Sequence, residues 1–114
     1  MATTEELKIL QKTYDMIQYA YICLRQFPKS EKFALAGEIK KVMASLLRLI
    51  IQANKRYFKK TTLQDIDVEL QTLKMYVRLS KDLELLPIKK YEVWSRHLDE
   101  IGKMLGGWIK SQKQ

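Results

Sequence analysis

Cysteine and histidine occur once each in the 114 residues, as Cys23 and His97. One thiol excludes an internal disulfide and fits a reducing, cytoplasmic setting, with Cys23 a small buried apolar filler. With one His and one Cys there is no soft-metal cluster, and no metal or cofactor is expected. Long hydrophobic runs are also missing. Leu46-Leu47 is cut by Arg48, and Leu49-Ile50-Ile51 ends at Gln52, so no membrane span is expected. The start, Met1-Ala2-Thr3-Thr4-Glu5-Glu6, lacks the basic-then-apolar order of a secretory leader. Most telling is the absence of any acidic residue between Glu38 and Asp65.

Proline appears only at Pro28 and Pro87, and between these breaks the apolar period is that of a helix, never of a strand. The first helix is predicted over about 5–26, with Leu10, Tyr14, Ile17, Tyr21 and Leu24 on its buried face. The second starts near Glu31, with Ser30 as N-cap, and runs to Phe58 or Lys60. It buries Leu35, Ile39, Val42, Leu46, Ile50 and Ala53. Thr62 and Asp65 approximate a capping box for the third, which runs to about Leu86 on a core of Leu63, Ile66, Leu70, Leu73 and Val77. After Pro87 the fourth buries Tyr91, Trp94, Leu98, Ile101, Leu105 and Trp108. Similar lengths and short connections predict one all-α domain over 1–114, an up-down-up-down four-helix bundle.

A lone bundle has no use for a second apolar stripe, yet Val68, Met75, Leu79 and Leu86 cluster opposite the core face of the third helix. That stripe predicts a protein–protein contact, with a homo-oligomer or a larger partner. Phe33, Leu47, Ile51 and Phe58 add apolar character at the edge of the second helix. Gly102, Gly106 and Gly107 each cost about 1 kcal/mol inside a helix, which predicts close approach of a neighbouring helix.

The net charge is +8, and residues 1–60 carry 12 Lys/Arg against 5 Asp/Glu. Such a surplus costs stability through self-repulsion unless a polyanion neutralises it. Lys41, Arg48, Lys55 and Lys59 fall on one predicted stripe, with Arg56 and Lys60 beside its end. Lys74, Arg78 and Lys81 make a shorter row on the third helix. On the fourth, Lys89, Arg96, Lys103 and Lys110 look offset by Glu92 and Asp99, each four residues before a cation. The second and third helices are therefore the predicted nucleic-acid interface, through backbone phosphates and with little sequence readout. Six neutralised phosphates would set a log–log salt slope of about −5 on a duplex. Tyr57 and Phe58, among Lys55, Arg56, Lys59 and Lys60, suit either base stacking or packing beneath the lysine stems.

Catalytic constellations are missing. His97 directly follows Arg96, whereas small helical-bundle ribonucleases space an Arg and a His by a short gap. No Ser or Cys stands at a triad-like spacing, and caps and surface pairing account for the paired carboxylates. The chain is not expected to be an enzyme.

Three segments together resemble the Avd family, the accessory variability proteins of diversity-generating retroelements. They are Phe27-Pro28-Lys29-Ser30-Glu31-Lys32-Phe33 with Leu35; Leu63, Asp67, Leu70, Leu73-Lys74 and Arg78; and Glu100-Ile101-Gly102-Lys103-Met104-Leu105-Gly106-Gly107-Trp108-Ile109. The resemblance covers about residues 8–112, and Gly106-Gly107-Trp108 is its most discriminating element. Four-helix-bundle proteins of ribosomal-RNA intervening sequences are similar too. Their second helix carries a Ser-Ile-x-x-Asn-Ile-Ala-Glu-Gly-like run where this chain has Ala44-Ser45-Leu46-Leu47-Arg48-Leu49-Ile50. The Avd resemblance implies a barrel-shaped homopentamer that binds the retroelement's reverse transcriptase and its template RNA, RNA/DNA hybrid included. It implies a non-catalytic role in mutagenic retrohoming, with Lys74 and Arg78 on basic positions of the family pattern. Lys55 to Lys60 have no counterpart in that pattern. The competing readings are an RNA-associated bundle of the intervening-sequence type and a structural oligomer docking an acidic protein.

Overall fold

The structure, a computed structural model, describes residues 4–112, the side chain of Glu5 excepted. The leader reading at Met1–Thr3 and the last two residues of the domain therefore lie outside the described residues. Among the described residues there are four long helices and one single turn: α1 (Thr4–Leu24), α2 (Lys29–Lys32), α3 (Leu35–Lys55), α4 (Lys60–Asp82) and α5 (Ile88–Ser111). Around the ring, α1 packs on α3, α3 on α4, α4 on α5 and α5 back on α1. This is the predicted up-down-up-down bundle, a rod of 46 × 24 × 19 Å.

The predicted core faces of α4 and α5 are buried except for Tyr91, which is half-buried at the rim, with Trp94 fully enclosed and Trp108 nearly so. On α3, Met43 and Ala36 are buried while Val42 packs at the rim. Cys23 is buried as expected, and burial pushes its thiol pKa up.

On α1 the buried stripe is rotated by one residue from the prediction. Ile9, Thr13, Met16, Ala20 and Cys23 face inward, while Tyr14 and Tyr21 are exposed. Two adjacent stripes of α1 are apolar enough to bury, and the tyrosine hydroxyls favour the wetter one. Thr13 tolerates the interior because its hydroxyl donates to the Ile9 carbonyl at 2.8 Å.

Helix boundaries differ from expectation at several places, including the end of α4 at Asp82 rather than near Leu86. Ser30 lies inside α2 rather than capping it, and the chain bends at Phe33-Ala34 before α3 begins at Leu35. Helix α3 stops at Lys55, where Arg56 turns to an extended backbone (φ −92°, ψ 147°). Helix α4 starts at Lys60 without a side-chain cap, and Thr62 is buried in its first turn.

After α4, Glu84 adopts φ 62°. Its N–H donates to the Lys81 carbonyl and the Leu85 N–H to the Ser80 carbonyl, both at 2.9 Å. This pair of bonds is a Schellman motif, whose left-handed position favours glycine. Glu84→Gly is therefore expected to raise stability by about 1 kcal/mol, read as a higher midpoint in chemical denaturation. The same turn corrects the outer stripe. Leu86 is only 3% exposed, because the chain has left the helical path and swings it into the core.

The glycines of α5 divide. A Cβ at Gly102 would lie 3.7 Å from Leu70 Cδ2 and 3.4 Å from Lys74 Nζ, so α4 does come close there. Gly106 and Gly107 meet nothing within 4 Å, contrary to the expected helix approach inside the protomer.

Candidate nucleic-acid interface

The predicted cations separate into two groups once their neighbours are known. On α4 the row Lys74, Arg78, Lys81 is formed, but carboxylates face it. Lys74 Nζ lies 3.5 Å from Asp99 on α5, Arg78 Nε lies 3.8 Å from Asp82, and Lys81 Nζ lies 3.4 Å from Asp82. Three cations against two carboxylates leave one net positive charge on this row. Lys81 Nζ also sits 4.7 Å from the centroid of the Tyr91 ring, which ties its ammonium to α5.

The acid-free stretch behaves differently. Arg48 and Lys55 are exposed on one face of α3, and Arg56 and Lys60 are exposed in the turn that follows. Among the described residues, no ion pair engages any of these four. Lys41 shares their α3 stripe, with Glu38 3.6 Å away. Lys59 does not belong to it. Its Nζ turns inward and donates to the carbonyls of Ala53 and Arg56 at 2.6 Å each, closing the C-terminal end of α3. An ammonium there is favourable twice, by satisfying orphan carbonyls and by meeting the negative end of the helix dipole.

Spacing also misassigned the acids of α5. Asp99, expected to pair with Lys103, reaches Lys74 across the α4–α5 seam instead. Glu100 pairs with Lys12 of α1 at 3.0 Å. Lys103 therefore loses Asp99 as its expected i, i+4 partner, although its charge still acts on Glu100. Inter-helix distances decide such pairs, and those are invisible in a one-dimensional pattern.

The hydrogen bond from Lys12, and then its charge, hold the Glu100 carboxyl below the ordinary carboxylate range. A lowered carboxyl pKa stabilises the fold above about pH 4.3, and this contribution is lost as pH falls through the folded value. Lys12→Met is expected to move the Glu100 midpoint back up, as followed by NMR titration of its side-chain carboxyl. An unchanged midpoint would remove Lys12 as the cause.

The outer apolar stripe of α4 survives as Val68, Met75 and Leu79, all exposed on the side away from the core. A cavity of about 440 Å³ between α1 and α5, lined by Ile9, Met104, Gly107 and Trp108 with Glu6 and Lys103, escaped the sequence reading. Its signal depends on the register of two helices distant in sequence. His97 stacks on Tyr19 with ring centroids 5.5 Å apart.

Fold and surface charge together define an all-α four-helix-bundle protein with a basic exterior. The sequence model of the bAvd-like family matches residues 7–112, and the chain belongs to that family. No curated protein matches the chain. No helix among the described residues is long and apolar enough to cross a membrane.

Proposed function

We propose that this protein is a non-catalytic accessory factor of a diversity-generating retroelement, binding template RNA or its cDNA hybrid together with the reverse transcriptase in support of mutagenic retrohoming. Membership of the bAvd-like family supports the accessory role. The observation that carries nucleic-acid binding is the acid-free stretch, whose exposed Arg48, Lys55, Arg56 and Lys60 face no carboxylate among the described residues. Unneutralised cations on rigid backbone bind phosphate by releasing counterions, without needing a base sequence.

Four phosphate contacts per protomer correspond to a log–log salt slope of about −3 on a single strand and about −3.6 on a duplex. Titrating a labelled RNA at several salt concentrations measures this directly. A salt-independent affinity would sink the reading. Recovery of the reverse transcriptase with the tagged protein from cells carrying the retroelement tests the second partner.

Val68, Met75 and Leu79 support assembly into a homo-oligomer, for which the proposed state is the family's pentamer. Repetition around a ring would multiply weak phosphate sites into a strong one. Sedimentation equilibrium at micromolar protein checks the assembly, and a clean monomer would refute it.

A further inference from the structure

The α3–α4 connection exposes two aromatic rings that a folded chain would ordinarily cover. Tyr57 is 88% and Phe58 85% exposed. The rings meet edge to face, with centroids 4.9 Å apart and planes at 88°. The backbone that carries them is fastened on both sides. Arg56 N–H donates to the Gln52 carbonyl at 3.1 Å, and Lys59 reaches back to the Ala53 and Arg56 carbonyls. The loop is thus closed around the aromatic pair, with a defined outward presentation. Exposed Lys55, Arg56 and Lys60 surround it, in a stretch without a carboxylate.

We propose that Tyr57 and Phe58 are a stacking platform for two unpaired bases of a single-stranded nucleic acid, with Lys55, Arg56 and Lys60 on the adjoining phosphates. This rests on the nucleic-acid reading above and narrows it to one strand class and one end of the bundle. Aromatic faces beside unneutralised cations match the alternation of base and phosphate along a single strand. Rings at 88° cannot share one continuous base stack, so bases on them are splayed by about a right angle. A duplex keeps its bases paired and stacked, and would offer this loop only phosphates.

The test is fluorescence anisotropy of the full chain with a 12-nucleotide oligouridine and a 12-base-pair RNA duplex at fixed salt. Stacking is worth roughly 5- to 150-fold per base. The Tyr57→Ala/Phe58→Ala variant is therefore expected to lose about 30-fold or more on oligouridine. Duplex affinity and the salt slope should stay as in wild type. Tyr57→Trp should retain the single-strand affinity. An unchanged thermal midpoint confirms that the alanine variant folds, as expected for side chains this exposed. Equal losses on both ligands, or none on oligouridine, overturn the platform. So does an intact oligouridine affinity alongside loss of self-association in sedimentation, which would assign the rings to a protein contact. If wild type binds neither oligonucleotide even at low salt, the nucleic-acid reading fails with it. Binding of both without dependence on the rings removes the platform alone.

Discussion

Replacing Arg48, Lys55 and Arg56 together by glutamate is expected to weaken nucleic-acid binding by at least about a hundredfold at 0.15 M salt. Each phosphate contact contributes roughly 5-fold there through counterion release, so three lost contacts multiply to that size before repulsion is added. The salt slope should become shallower by about 2 to 3. None of the three faces a carboxylate among the described residues, so their reversal breaks no ion pair of the fold. Lys74→Glu with Arg78→Glu is the informative contrast. Those side chains already lie beside Asp99 and Asp82, so the reversal removes less free charge. It also replaces cations beside Asp99 and Asp82 with like charges, at the α4–α5 seam and along α4. That variant is expected to lose less affinity than the first and more thermal stability. The opposite order, with the α4 reversal abolishing binding and the α3 reversal silent, would place the interface on α4.

Trp94→Ala is expected to cost about 3–5 kcal/mol, among the largest single losses available to this chain. Trp94 is fully buried and is the largest enclosed side chain. Its removal leaves a cavity that the long helices on either side cannot close without bending. For a domain of this size, the loss corresponds to a fall in Tm of roughly 12–20 °C. Trp94→Phe separates packing from polarity. The indole Nε1 finds no acceptor among the described residues, so phenylalanine sacrifices volume but no hydrogen bond. Its cost is expected to be under about 2 kcal/mol. Calorimetric melting of both variants measures the difference, and equal losses would show that the indole N–H contributes through an unseen bond.

Periodicity located α3, α4 and α5 together with nearly all of their buried positions, because one apolar stripe on each is clearly dominant. On α4, Leu63, Ile66, Leu70, Leu73 and Val77 are all buried as read. It failed in part on α1, where Leu24 is buried as read but Tyr14 and Tyr21, which resemble core residues by hydropathy alone, lie exposed on a competing stripe. It failed again at Leu86, where a left-handed Glu84 ends the helical phase that the extrapolation assumed. Among the candidate contacts, Lys59 was misread as a surface cation because its role depends on α3 ending at Lys55.

The linear chain by itself determined the number of long helices, the family they belong to, and the stretch of surplus positive charge, since each is written in the order and chemistry of neighbouring residues. Only the folded bundle decided which cations lack a nearby acid and which apolar side chains face outward. Those properties depend on distances between helices remote in sequence, across which Lys74 meets Asp99 and Lys12 meets Glu100.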